Sequence, residues 1–140
     1  MALLEVNNLH LYYRTAQAII PAVDGISFVV ETGETLGIVG ESGAGKSSLA
    51  LALMRVLPRN VATYNGVIKF EDTDCLMLND EEFRKQIRWQ RMAMVFQGAM
   101  DSLNPVVKIE HQIAEPLLLQ TGTDHQQAYA AVRQLLEMVL

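Results

Sequence analysis

The residues Gly40-Glu41-Ser42-Gly43-Ala44-Gly45-Lys46-Ser47 match the phosphate-binding pattern G-x-x-x-x-G-K-[ST] at every fixed position. An apolar run at residues 35–39 precedes the loop and predicts a buried parallel strand, whereas residues 48–55 favour a helix. Strand, glycine-rich loop and helix is the order that phosphate-binding loops require. A flexible surface turn is the alternative, but it does not need this order. The stretch therefore predicts an α/β fold built around a phosphate-binding loop.

Each residue type in this loop has a chemical reason. Backbone N–H groups at a helix N-terminus bind anions, and glycines let the chain bring those groups close to a phosphate. Lys46 supplies a positive charge for the β- and γ-phosphates, Ser47 is placed to ligate Mg²⁺, and Ser48 faces the α-phosphate side. A catalytic role is expected for Lys46. The predicted nucleotide contacts are Gly40, Ser42, Gly43, Ala44, Gly45, Lys46, Ser47 and Ser48.

The composition is typical of a soluble globular domain. The 140 residues are 50% hydrophobic and 19% charged, and the formal net charge of −5 argues against a general nucleic-acid binder. A single cysteine, Cys75, excludes an internal disulfide and is usual in a reducing compartment. No apolar run approaches the ~20 residues that span a bilayer, and residues 1–5 do not resemble a signal peptide. We expect a cytoplasmic protein.

The hydrophobic pattern predicts the remaining elements. Strands are expected at residues 4–13, 23–30, 67–70 and 92–97, with Asn65-Gly66 as the turn that opens the third. Helices are expected at residues 80–89, after an Asn79/Glu82 capping box, at 109–119 and at 126–140. Near residue 105 the pattern changes from mixed strands and helices to helices alone. This change divides the chain into a nucleotide-binding core at 1–105 and the start of a helical subdomain at 106–140. Because the last helical pattern has no cap at residue 140, the chain looks truncated.

Four stretches carry a resemblance to a known family. They are AVDGISF at 22–28, GETLGIVGESG at 33–43, MVFQGAMDSLNP at 94–105 and QIAEP at 112–116. On these residues the chain resembles the N-terminal half of an ABC transporter ATP-binding subunit of the oligopeptide/dipeptide importer group. The resemblance implies a P-loop NTPase of α/β class, present as a partial ABC-type nucleotide-binding domain with an antiparallel β edge.

The resemblance also implies roles for single residues, with ATP and Mg²⁺ as cofactors. Tyr13 would stack on adenine, and Tyr12 is the alternative. Gln97 would be the Q-loop glutamine, which reaches Mg²⁺ and the attacking water, and would therefore be both a catalytic residue and a metal ligand. Its loop would also touch the membrane subunits, which makes Gln97 the expected coupling residue.

The implied activity is ATP-driven import of a solute, most closely oligopeptides or dipeptides, at the cytoplasmic face of the cell membrane. The implied partners are transmembrane permease subunits, a second ATP-binding subunit in a homo- or heterodimer and, indirectly, an extracytoplasmic solute-binding protein, with no nucleic acid. These residues do not identify the solute, because nickel and sugar importers of the group share the motifs.

The resemblance implies that the family's signature motif, Walker B aspartate, catalytic glutamate, D-loop and switch histidine would lie after residue 140. This stretch is therefore expected to bind nucleotide with little or no hydrolysis. A non-hydrolysing interaction or regulatory module is the alternative function. A small P-loop kinase or GTPase fits less well, because neither an arginine-rich lid nor an Asn-Lys-x-Asp motif is found.

The histidines and the cysteine fit ordinary structural roles. His111 lies near Glu110 and Glu115, but no cysteine or second histidine completes a set of metal ligands. We therefore expect no metal cluster and read His111 as a surface residue. The same interpretation applies to His10 and His125, and Cys75 is expected to be a packing or surface thiol.

Overall fold

The computed structural model describes residues 2–98, 103–120 and 122–139. Its elements are β1 (Ala2–Arg14), β2 (Ile19–Glu31), α1 (Lys46–Leu53), β3 (Val61–Phe70), β4 (Thr73–Asp74), α2 (Asp80–Gln86), α3 (Ile109–Gln120) and α4 (His125–Glu137). Contacts divide the chain into two compact units, Met1–Ile87 and Arg88–Leu140. The subdomain boundary near residue 105 stays a prediction.

The four strands of the first unit form one antiparallel sheet in the order β2-β1-β3-β4. Alternate side chains of the central strand β1 enter the core, where Leu9 and Leu11 are fully buried together with Ile68 of β3. Helix α1 packs against β1 and β2 and buries Leu49 and Ala52. Each fully buried leucine or isoleucine stabilises the fold by about 1.5–3 kcal/mol. This packing fixes the start of α1 next to the edge strand β2.

An irregularity in β1 changes the interpretation of Asn65-Gly66. The β1–β3 register shifts between Asn7 and His10, and Asn8 has a φ of 46°. Opposite this point, Gly66 has a φ of 123°, and a Cβ there would lie 2.6 Å from the Asn8 carbonyl oxygen. Gly66, in the middle of β3, therefore permits the close approach of β1 to β3. The prediction that Asn65-Gly66 opens the third strand was wrong, because β3 begins earlier, at Val61.

Arg55 connects the end of α1 to the β4–α2 segment. Its guanidinium donates to the carbonyl oxygens of Cys75 and Leu78 at 2.9 and 2.7 Å, and to Asp80 Oδ1 at 2.6 Å. The guanidinium carbon also lies 4.9 Å from the centre of the Phe83 ring. The Arg55 side chain is only 15% exposed, so its guanidinium is largely shielded from water, whereas the Asp80 side chain is 97% exposed. Arg55 thus holds α1 and α2 together.

The Asn79/Glu82 capping box at the start of α2 is confirmed. The side chain of Asn79 accepts from the Glu82 N–H at 2.9 Å, and the side chain of Glu82 accepts from the Asn79 N–H at the same distance. Such a pair satisfies two N–H groups that the first helical turn leaves without partners. The helix ends at Gln86, earlier than predicted.

The predicted strands at residues 35–39 and 92–97 were wrong. Neither segment is a strand, and only Met92 forms an isolated bridge, to Arg88. A strand exists only when a neighbouring strand accepts its ladder hydrogen bonds, and no described strand lies beside either segment. Their apolar side chains are accordingly exposed, by 96% at Val39 and 90% at Val95.

The second unit contains the helix pair α3 and α4. Its core is formed by Ala114, Ala128 and Val132, with Leu136 packed against them. Residues 132, 135, 136 and 139 fall on one face of the helical pattern, but the side chains at 135 and 139 are 45% and 78% exposed. A single partner helix covers only a narrow stripe of α4, which explains the difference. Among the described residues, no helix is long and apolar enough to cross a membrane.

Candidate functional site

The loop between residue 40 and α1 turns through two glycines in the left-handed region. Gly43 has a φ of 82° and Gly45 a φ of 87°, values that residues with a Cβ rarely adopt. A Cβ on Gly45 would also overlap the carbonyl oxygen of Ala22 in β2. Glycine is therefore required at position 45 both by the backbone conformation and by the close approach of the edge strand.

The N-terminus of α1 presents backbone donors to the loop. Gly45 occupies the N-cap position, and no side chain caps the helix. The helical hydrogen bonds begin where the Leu49 N–H donates to the Gly45 carbonyl at 2.8 Å. The N–H groups of the first turn, at residues 46–48, therefore lie before the helical ladder. Unpaired donors and the helix dipole both favour an anion at this end of the helix.

Lys46 adds a positive charge at the same place. Its ammonium donates to the carbonyl oxygens of Gly40 and Glu41, both at 2.6 Å, and so bridges the loop. An ammonium group has three N–H donors, so one is available to a ligand. The Ser47 side chain is exposed, and no hydrogen bond is described for its hydroxyl. A hydroxyl of this kind is suited to Mg²⁺, which takes oxygen ligands.

A cavity of about 380 Å³ lies beside the loop. Its volume is within the range of about 300–1,000 Å³ that is usual for small-molecule sites. The lining residues are Pro21, Ala22, Val23, Asp24, Ile26, Ile38, Val39, Ala44, Gly45, Lys46 and Leu49. The structure thus brings three predicted loop residues, at positions 44–46, together with the edge of β2. The other predicted loop residues, at positions 40, 42, 43, 47 and 48, are not part of this lining.

Tyr12 and Tyr13 differ in their polar contacts. The Tyr12 hydroxyl donates to Asp24 Oδ1 at 2.6 Å, and this hydrogen bond raises the pKa of the Tyr12 phenol. Tyr13 lies opposite Ile20 and Val61 in the sheet and is half-buried, and no hydrogen bond is described for its hydroxyl. Neither tyrosine lines the cavity. Adenine stacking on Tyr13 stays a prediction.

Asp24 is the residue of this site that the sequence interpretation missed. Besides Tyr12, it contacts the His10 ring, whose Nδ1 lies 3.0 Å from Asp24 Oδ1. The other ring nitrogen lies 3.2 Å from Asn8 Oδ1. The hydrogen bond from Tyr12, followed by that from His10, lowers the pKa of the Asp24 carboxyl. His10 was predicted to be an ordinary surface residue, but its side chain is only 23% exposed within this network.

Gln97 belongs to the second unit, where it is exposed at the end of the segment that does not form a strand. Residues 99–102, which follow it, lie outside the described residues. Its predicted roles as a Mg²⁺ ligand and coupling residue stay predictions.

Gln112 of α3 holds the segment in front of its own helix. Its Oε1 accepts from the Asn104 N–H at 2.8 Å, and its Nε2 donates to the carbonyl oxygens of Asn104 and Val107 at 2.9 and 2.8 Å. One side-chain amide therefore satisfies three backbone groups. Helical spacing alone could not reveal this contact, because it depends on how the loop folds back onto α3.

The histidines of the second unit pack against an aromatic ring. His111 lies edge-on to Tyr129 with ring centres 5.7 Å apart, and His125 stacks on Tyr129 at 6.3 Å. In the part of the chain that the structure describes, no group of three or more His, Cys, Asp or Glu side chains could hold a metal ion. Cys75 is fully buried, and burial raises the pKa of its thiol.

A glycine-rich loop that ends at a helix N-terminus, with lysine as the first helical residue, defines a P-loop protein. The sequence profile of the ABC transporter family matches residues 23–139. The chain belongs to the ABC transporter family.

Two curated relatives illustrate the similarity. The oligopeptide transport ATP-binding protein OppD of Haemophilus influenzae is 42% identical over 137 residues, which cover 98% of this chain and 42% of the relative. The oligopeptide transport ATP-binding protein AppD of Bacillus subtilis is 41% identical over 138 residues, with 98% and 42% covered. The chain thus spans well under half the length of these relatives.

A solved structure supports the fold. The ATP-binding cassette MJ0796, described as a dimeric post-hydrolysis state bound to ADP and Pi, matches with a TM-score of 0.80 at 22% sequence identity. The match covers 96% of this chain and 56% of that one. The predicted fold class, a partial ABC-type nucleotide-binding domain, is confirmed.

Proposed function

We propose that residues 40–48 bind the phosphates of ATP together with Mg²⁺. The observation that carries the proposal is the convergence of three features at one end of α1: the uncapped N-terminus, the Lys46 ammonium with one spare donor, and the exposed Ser47 hydroxyl. Lys46 neutralises phosphate charge, and Ser47 ligates the cation that bridges the phosphates. Tyr13, at the end of β1, supplies an aromatic face for adenine.

We further propose that the whole protein is the ATP-binding subunit of an importer of oligopeptides or dipeptides. The support is the relatives, which are named as oligopeptide transport ATP-binding proteins. In this account the whole protein hydrolyses ATP, and Gln97 connects the γ-phosphate and Mg²⁺ to a permease. The partners are the permease subunits, a second ATP-binding subunit and an extracytoplasmic solute-binding protein. The protein works at the cytoplasmic face of the membrane.

Calorimetric titration of the chain with ATP, with and without Mg²⁺, tests the binding proposal. Lys46→Ala should lower the affinity for ATP by about 10-fold or more, because a hydrogen bond from a charged donor is worth about 1.5–3 kcal/mol. Lys69→Ala is the matched control, since it removes the same charge from an exposed position of β3. Equal affinities for wild type and Lys46→Ala would sink the proposal.

The coupling proposal needs the complete subunit with its permease and solute-binding protein in vesicles. ATP-driven uptake of a labelled peptide should be lost in Gln97→Ala while ATP binding persists. Normal uptake by that variant would remove Gln97 from the coupling role. Uptake of another solute class in place of peptides would overturn the proposed substrate.

A further inference from the structure

The cations of this acidic chain are concentrated in one short stretch. Four of its 11 lysines and arginines lie within residues 84–91, and no acidic residue occurs in that stretch. Three of the four are arginines, at positions 84, 88 and 91, and arginine keeps its charge at every physiological pH. A chain with a formal net charge of −5 therefore carries one locally positive segment.

The acidic residues just before this stretch, at the start of α2, already have partners. Asp80 binds Arg55 at 2.6 Å, and Glu81 binds Lys85 at 2.7 Å. Glu82 accepts a backbone N–H at 2.9 Å in the capping box. Two of the three carboxylates are thus balanced by Arg55 and Lys85, so the three arginines of residues 84–91 remain the dominant charge of the segment.

Residues 88–92, which we call the basic turn, contain the only tryptophan of the chain. The Trp89 N–H donates to the Met92 carbonyl oxygen at 2.8 Å, and an isolated bridge joins Arg88 to Met92. Trp89 has a φ of 66°, a left-handed conformation that bulky residues rarely adopt. Its side chain is nevertheless 57% exposed, and Arg91 is exposed as well. Burial of the indole therefore does not explain the strained backbone, and strain of this kind is common where a residue serves a function.

An exposed indole and arginine in one turn suit the boundary between a membrane and water. Tryptophan is enriched there because its ring is apolar and its N–H is polar, and nearby cations are attracted by anionic headgroups. Nucleic acid also attracts arginine, but it binds a wide basic face, which this acidic chain lacks. A bilayer surface needs only one exposed turn. Because the attraction is screened within about 10 Å, distant carboxylates oppose it little.

We propose that the basic turn contacts a membrane surface rich in anionic phospholipids, with the Trp89 indole at the level of the headgroups and Arg91 attracted to their phosphates. The proposal rests on the proposed function for its location, since the cytoplasmic leaflet of a membrane is negatively charged. It adds a contact to lipid, which is distinct from the contact to permease subunits and requires no nucleotide.

The fluorescence of Trp89 tests the proposal directly, because no other tryptophan contributes to it. The chain is titrated with vesicles of phosphatidylcholine alone and with vesicles that contain an equal amount of phosphatidylglycerol. With the anionic vesicles, the emission should shift to shorter wavelength and quenching by acrylamide should fall, because the indole leaves water. Neutral vesicles should cause neither change, and added salt should reverse both.

Two variants separate charge from insertion, with binding measured by cosedimentation. Arg91→Gln should weaken binding to anionic vesicles about fivefold, the loss expected for one cation near such a surface. Arg133→Gln is the matched control, because it removes the same charge from an exposed position of α4, and it should leave binding unchanged. Trp89→Gly suits the left-handed backbone, so it should preserve the fold while lowering the affinity for the vesicles.

Three results would overturn the inference: an equal response to neutral and anionic vesicles, equal losses in Arg91→Gln and Arg133→Gln, or a fluorescence shift with a single-stranded oligonucleotide that exceeds the shift with vesicles. Calorimetric titration with ATP keeps this inference distinct from the proposed function. A chain that binds ATP but not anionic vesicles refutes only the lipid contact, and a chain that binds anionic vesicles but not ATP refutes only the nucleotide site.

Discussion

Two glycines of the phosphate-binding loop provide a sharp test of its geometry. Gly43 and Gly45 have nearly equal φ values, 82° and 87°. A Cβ at Gly43 would meet nothing within 4 Å, whereas a Cβ at Gly45 would overlap the Ala22 carbonyl oxygen. Gly43→Ala and Gly45→Ala therefore share the backbone penalty and differ in the steric one.

The expected magnitudes follow from that difference. Forcing alanine into the left-handed region costs about 1–2 kcal/mol, so this loss applies to both variants. The overlap at Gly45 must be relieved by moving the loop away from β2, and such displacements cost a further ~1–3 kcal/mol. We therefore expect Gly45→Ala to lower the free energy of unfolding by about 2 kcal/mol more than Gly43→Ala does.

Urea unfolding followed by far-UV circular dichroism measures both losses on the same scale. The midpoint should fall further for Gly45→Ala while the slope with urea stays unchanged, because the unfolded chain is the same length and composition in both variants. Equal losses in the two variants would refute the contact between the loop and the edge strand. So would a larger loss in Gly43→Ala.

Three further predictions concern residues outside the loop. Arg55→Ala should lower the free energy of unfolding, measured with urea, by about 2–4 kcal/mol, because it leaves the carbonyl oxygens of Cys75 and Leu78 without this donor. The control Arg59→Ala, at an exposed position, should change it by less than ~0.5 kcal/mol. Burial raises the pKa of Tyr64 from the ordinary tyrosine value of 10.0 to about 12. The folded state thus holds the Tyr64 proton more tightly than the unfolded state. The free energy of unfolding is therefore unaffected by this group below the unfolded pKa, and it falls as the pH rises from the unfolded pKa to the folded pKa. Unfolding measured across this window should show a decline in stability that Tyr64→Phe reduces, and an unchanged decline in that variant would contradict the burial described for Tyr64. Gln112→Ala should speed amide hydrogen exchange at Asn104, and unchanged exchange there would contradict the clamp described for Gln112.

The loop and the capping box could be predicted from sequence because local residue types determine their geometry. Glycine at positions 43 and 45 encodes positive φ, and Asn79 with Glu82 encodes a helix start within four residues. In each case the information lies in a short stretch. The structure therefore matches the prediction at those points.

The rest of the site depends on contacts between distant residues. The approach of Asp24 to Tyr12 follows from the β1–β2 register, which several shifts interrupt and which no local pattern specifies. Residues 35–39 are apolar enough for a strand, but a strand also needs a neighbour. Asn65-Gly66 is ambiguous for a similar reason, since the same pair serves a turn or a close approach of two backbones.

The most direct test of the account is a nuclear magnetic resonance titration of the isotopically labelled chain with Mg²⁺ and ATP, in wild type and Lys46→Ala. We predict that the largest amide shifts fall at residues 40–48, where the N-terminus of α1 meets the loop, and that the variant needs about tenfold more ATP, or more, to reach them. Amide shifts concentrated elsewhere, or a response that Lys46→Ala leaves intact, would contradict the claim that this loop binds the phosphates.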